Sequence, residues 1–174
     1  MNSANEIIET SSTAENMINN FKETVKIYEQ GKAYYDALKS VHDLVKGARK
    51  VQQTILLVGD ISDIYVTNFN TMMGDPNFTV EELSAIAFGY NRMLEESSNL
   101  LLDLKEVTTA TGLSMTDKER LDIINRIYGE VLEYKNLTWY YTRKNIGISY
   151  LRSKKKGNSQ RVLALYGTHE QRYW

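Results

Sequence analysis

The chain has 174 residues, 42% of them hydrophobic and 25% charged, with 21 basic side chains against 22 acidic ones. That balance fits one globular domain with a core and excludes a highly charged, disordered chain. One proline, Pro76, and ten glycines exclude a Pro/Gly-rich low-complexity chain, and the absence of cysteine excludes a disulfide scaffold, a thiol nucleophile and a Cys-ligated metal centre.

Taken in chain order, the first apolar stripe comprises Met17, Ile18, Phe21, Val25, Tyr28, Tyr35, Leu38, Val41, Val45 and Ala48. Its three- and four-residue steps predict a helix over 14–48. At 1.5 Å per residue such a helix is about 50 Å long, so it needs partners along its length in an elongated hairpin or bundle. Gly31 and Gly47 are the positions where it is open to a kink or break. A second stripe runs Val51, Ile55, Val58, Ile61, Tyr65, Phe69 and Met72, and stops at Gly74-Asp75-Pro76. Gly74 is expected to take a left-handed cap, since proline two residues on cannot continue the helix.

Thr79-Val80-Glu81-Glu82 has the form of a capping box, in which a hydroxyl and a carboxylate satisfy reciprocal backbone donors. It predicts a third helix from Val80, carried by Leu83, Ile86, Tyr90, Leu94, Leu101, Leu104 and Val107 to about Thr111, where Gly112 ends it. The same signature at Thr116-Asp117-Lys118-Glu119 opens a fourth helix, with Leu121, Ile124, Ile127, Val131, Tyr134, Thr138 and Tyr141 on one face. It is expected to reach Arg143, or to continue through Leu151; the alternating stretch 145–150 reads as helical or irregular. Residues 153–158 read as a loop, Ser159 as the cap of a short helix over 160–166, and 168–174 as a tail. The expected architecture is therefore all-α, an elongated helical hairpin or bundle of four main helices plus a short C-terminal helix. It forms a single domain over 1–174, in which 1–13 is a disordered or processed N-terminus.

Uninterrupted apolar runs reach only the length of 55–58, against the roughly 20 residues of a membrane span, so no transmembrane segment is expected. Residues 1–13 lack an apolar h-region and do not read as a signal peptide. Charge is unevenly spread: seven basic and seven acidic residues over 1–55, two and nine over 56–116, twelve and six over 117–174. The basic C-terminal quarter is a footprint for an acidic partner, a solvated face, or a surface that packs on the acidic middle of the same chain.

No catalytic constellation is expected. His42 and His169 belong to no Glu-x-x-His or His-Glu-x-x-His pattern, so neither a metal site nor a cofactor is predicted. Glu81-Glu82 sits in an opening helical turn, where negative charge is favoured, and Glu95-Glu96 project about 100° apart and do not converge. Residues 58–63 resemble a phosphate or calcium loop but lack the Gly-Lys-Ser/Thr and the closing Glu.

The chain carries twelve tyrosines, several of them in the stretch 134–141. Tyr134, Thr138 and Tyr141 are expected to point inward, with Trp139 and Tyr140 covering neighbouring helices. An aromatic run interleaved with cations also suits a protein contact or stacked nucleotides. The candidate partner-binding residues are thus Trp139, Tyr140, Arg143, Lys144, Arg152 and Lys154, continuing through Lys155, Lys156 and Arg161 to the closing Arg172, Tyr173 and Trp174.

Several strings carry a likeness: NFKETVKIY (20–28), YYDALKSV (34–41), ARKVQQTI (48–55), FTVEELSAIAFGY (78–90), LSMTDKER (113–120), SYLRSKKK (149–156), ALYG (164–167) and the closing RYW. Together they resemble a family of conjugal transfer proteins from conjugative transposons of Bacteroides and relatives. The resemblance implies an exported, helical, non-catalytic part of a type IV secretion apparatus, in the position of a minor pilus subunit. It also implies other subunits of that machinery as partners, with homo-oligomers in scope, and a periplasmic or cell-envelope location, the cytoplasm being the alternative. The rival reading is a nucleic-acid-binding accessory factor that uses the basic C-terminal quarter.

Overall fold

A computed structural model describes residues 45–109 and 115–167. They form four helices, α1 (Val45–Met73), α2 (Val80–Thr109), α3 (Asp117–Lys155) and α4 (Ser159–Tyr166), with no strand among the described residues. The fold is all-α. Most of the predicted 14–48 helix, the tail 168–174 and both histidines lie outside the described residues.

Cross-helix contacts fix the directions. Asp60 meets Lys135 and Asp75 meets Ser149, so α1 and α3 run parallel. Glu82 meets Arg152 and Tyr90 meets Thr142, so α2 runs antiparallel to α3. The three long helices pack pairwise and α4 folds back on α3, giving an up-down-up bundle closed at one end.

The second, third and fourth apolar stripes read from the sequence line the core, and most of the first lies outside the described residues. Val51, Val58, Ile61 and Met72 of α1 meet Tyr90 and Leu104 of α2 and Ile124, Ile127 and Val131 of α3, all essentially inaccessible to water. Each such aliphatic side chain contributes roughly 1.5–3 kcal/mol relative to leaving it exposed. At mid-height the core is aromatic: Tyr65 stacks on Tyr90 at 4.8 Å, Phe69 meets both edge-on, and Tyr141 stands at 86° to Tyr90.

Both capping boxes form. Glu119 N–H donates to Thr116 Oγ1 at 3.2 Å while Thr116 N–H donates to the Glu119 carboxylate at 2.8 Å. Thr79 and Glu82 make the same reciprocal pair.

Four boundaries differ from expectation. First, α1 is continuous from Val45 through Gly47, so the predicted end near Ala48 is not an end. A Cβ at Gly47 would stand 2.9 Å from Ile124 Cδ1, so the glycine lets α1 approach α3 closely without displacing that side-chain end. Second, Gly74 takes no left-handed cap. Gly74 N–H donates to Thr71 O and Asp75 N–H to Met72 O, a tightened last turn that satisfies these two end carbonyls, and beyond it Asn77 N–H donates to the Asp75 carboxylate in a side-chain-closed turn.

Third, α3 runs past Leu151 to Lys155, into the predicted loop, and the alternating stretch 145–150 is helical, one of its two expected readings. Its true stop is a Schellman turn at Gly157, whose φ of 69° suits a residue without Cβ, with Asn158 N–H donating to Ser153 O at 2.9 Å. Fourth, the cap position of α4 is Asn158, not Ser159, and its side chain makes no capping bond.

Candidate functional site

The C-terminal half of α3 has two unlike faces. Inward, Thr138, Thr142, Asn145, Ser149 and Ser153 form a buried polar seam. Thr138, Thr142 and Asn145 donate to the carbonyl one turn back, at 2.7 to 3.0 Å, which satisfies them locally. With the Thr142 hydroxyl proton committed to Thr138 O, Tyr90 Oη is the donor in the 2.6 Å bond to Thr142 Oγ1.

The lower seam meets the corner between α1 and α2. Asp75 is buried and its carboxylate accepts from Ser149 Oγ at 2.5 Å, Tyr166 Oη at 2.9 Å and Asn77 N–H at 3.0 Å. Asn77 Nδ2 donates to Ser149 Oγ at 3.1 Å. Next to it, Arg152 holds Glu82 through both guanidinium arms at 2.5 and 2.8 Å, and also donates to Asn77 O at 2.7 Å. Hydrogen bonding from Arg152, and then from Thr79 N–H, holds the Glu82 carboxyl down to about 2. The arrangement is a clamp in which every carboxylate is already satisfied by donors from this chain.

Outward, α3 carries Leu137, Tyr140, Ile148 and Leu151, all exposed, among the cations Arg143, Lys144, Lys154 and Lys155. Tyr140 does not cover a neighbouring helix as expected. It is 52% exposed, and Lys144 Nζ lies 5.4 Å from its ring centroid. Trp139 is half-buried, whereas Tyr134 and Tyr141 pack against the core and Thr138 is fully inside, as the periodicity predicts.

The twelve candidate residues are therefore split. Tyr140, Arg143, Lys144, Lys154 and Lys155 share the C-terminal half of α3 and are solvent-exposed, and Arg161 is exposed on α4. Arg152 is engaged with Glu82, and Lys156 Nζ reaches Asn77 Oδ1 at 3.3 Å, so these two serve the clamp. Arg172, Tyr173 and Trp174 lie outside the described residues. Packing on the acidic middle segment accounts for Arg152, and for Lys135 on Asp60 at 2.6 Å, but for none of Arg143, Lys154 and Arg161, which have no ion-pair partner among the described residues.

The exposed apolar members Leu137, Ile148 and Leu151 were not predicted as candidates. The heptad Leu137-Lys144-Leu151, off the inward stripe, is the sequence signal that marks Leu137 and Leu151. An open depression lined by Glu130, Glu133, Tyr134 and Leu137 adjoins this face. Among the described residues no group of three or more metal-ligating side chains converges, and no helix is long and apolar enough to cross a membrane. No protein-family model, no curated protein and no solved structure matches this chain.

Proposed function

We propose that this chain is a non-catalytic assembly component of a conjugative DNA-transfer apparatus of the type IV secretion class, acting in the cell envelope through protein–protein contacts. The observation that carries the contact role is the outer face of α3, where large apolar side chains stand in water among cations instead of in the core. Exposed apolar and aromatic residues ringed by Arg and Lys are the composition of interface anchors. The conjugation setting rests on the sequence likeness carried by the strings quoted above.

The test is a mating assay with chromosomal or plasmid-borne variants of the full chain. Leu151→Asp combined with Tyr140→Ala is expected to lower transfer frequency and co-purification of other envelope components while helicity, read by circular dichroism, is unchanged. Unaltered transfer with a folded variant refutes the contact role of this face.

A second reading, a nucleic-acid accessory factor, is favoured by the exposed cations Arg143, Lys154 and Arg161, which have no ion-pair partner among the described residues. It predicts DNA affinity that falls steeply between low and moderate salt. Absence of binding at low salt removes it.

A further inference from the structure

The bundle presents a second exposed apolar face, on α2, and it has the opposite charge to the face on α3. Phe88 and Leu102, 72% and 56% exposed, stand on the outside of α2, and midway between them is the exposed Glu95. On α3, Leu137 and Leu151 are 47% and 61% exposed, and midway between them is the exposed Lys144. In each helix the apolar pair is separated by two heptads, about 21 Å, with the charged residue one heptad from either end. Beside the central residues the flanking charges agree in sign, Glu96 and Asp103 with Glu95, and Arg143 and Lys154 with Lys144, while Glu130 and Glu133 stand at the Leu137 end of the α3 face. The exceptions on α2 are Lys105 and Arg92, of which Arg92 already pairs with Glu95 at 3.3 Å and Glu96 at 2.7 Å.

From this match of spacing and charge we propose that the occupant of the α3 face is a second copy of the same chain, docked through its α2 face. Leucine meets Leu102 or Phe88 at each end, and Lys144 meets Glu95 at the centre. Among the described residues both faces point to solvent, on the outer sides of two different helices, so they do not meet each other within one bundle. The contact is heterologous, using different patches on the two copies, and it propagates into a ring or an open row. Apolar burial supplies affinity, while the central charge pair sets register and makes association salt-sensitive. The inference rests on the reading of the α3 face as a protein contact and names the partner.

Sedimentation velocity on the full chain, across a concentration series at low and high salt, tests it. The mass is expected to rise above the 20.0 kDa of one chain with concentration at low salt, and to fall back at high salt. Glu95→Lys alone and Lys144→Glu alone are each expected to weaken association about tenfold or more. An equimolar mixture of the two, or both swaps in one chain, restores it, because the charges are again opposite across the contact. Circular dichroism of each variant checks that the bundle is intact. Association that either single swap leaves unchanged, failure of the double swap to restore it, or one chain's mass at every concentration overturns the proposal. If the wild type stays monomeric while the α3 variants above still lose transfer, self-association fails and the contact with other subunits stands.

Discussion

Tyr166 Oη donates a 2.9 Å hydrogen bond to Asp75 Oδ2, joining the last turn of α4 to the corner after α1 across 91 positions of chain. Burial, reinforced by the carboxylate beside it, pushes the Tyr166 phenol well above its ordinary range, so the proton stays on the donor throughout neutral pH. The bond is inside the protein and one partner is a carboxylate, so its loss falls in the range of charge-assisted bonds.

Tyr166→Phe is therefore expected to destabilise the chain by about 1.5–3 kcal/mol, read as a lower urea midpoint at unchanged slope. Asp75→Ala is expected to cost more, because it strands Ser149, Tyr166 and Asn77 N–H together. An Asp75→Ala variant no weaker than Tyr166→Phe would contradict a shared acceptor.

The Glu82–Arg152 pair sets an acid limit. The Glu82 carboxyl lies at about 2 in the folded chain against an ordinary 4.5, so its contribution is complete above about 4.5 and disappears as pH falls towards about 2. Glu119, lowered by the Thr116 backbone N–H, acts in the same direction. Stability measured from pH 5 to pH 2 is expected to decline less steeply in Glu82→Gln than in the wild type; parallel curves would exclude Glu82 as a source of the slope.

Two glycines in helix interiors are expected to respond in opposite directions to alanine. At Gly89 a Cβ would lie 2.6 Å from Tyr141 Cζ, and that ring is held edge-on against Tyr90. Overpacking of this kind costs about 1–3 kcal/mol, enough to outweigh the roughly 1 kcal/mol gained from helix propensity. Gly129 has open space around its Cβ position, so Gly129→Ala is expected to gain roughly 0.5–1 kcal/mol. Thermal melts of the two variants decide it, and a stabilised Gly89→Ala would contradict the close approach of α2 to α3.

Tyr65 Oη is buried with no hydrogen-bond partner among the described residues, and burial pushes its phenol up to about 12. Tyr65→Phe keeps the stack on Tyr90 and removes the unpaired hydroxyl, so stability at neutral pH is expected to stay level or rise by about 1 kcal/mol. The sign of the alkaline effect follows from the raised value. The neutral phenol's stabilisation is complete below about 10 and is lost as pH rises towards 12, so the variant is expected to hold its fold to higher pH. A Tyr65→Phe variant that is weaker at pH 7 would mean that the hydroxyl has a partner.

Much of the fold was legible because its signals are local. Apolar residues at helical spacing must share a face, and Ser/Thr-x-x-Glu patterns close on themselves within one turn, so the core stripes and the starts of α2 and α3 followed from adjacent residues alone. What failed depended on distant neighbours. Gly47 reads as a weak point until Ile124 is set against it, and the stretch 145–150 stays open between helical and irregular until the carbonyls of α3 and Asp75 accept from Asn145 and Ser149.

The basic quarter shows the same division. By itself the sequence determined that this is a helical chain with a cationic, tyrosine-rich C-terminal region, because composition and periodicity survive without knowledge of contacts. Only the tertiary structure decided that Arg152 and Lys156 are used inside the clamp while Arg143, Lys144, Lys154 and Lys155 stay outside with Leu137 and Leu151. The reason is rotational. Side chains one residue apart on a helix point about 100° apart, so which of them reaches a carboxylate depends on where the neighbouring helices lie.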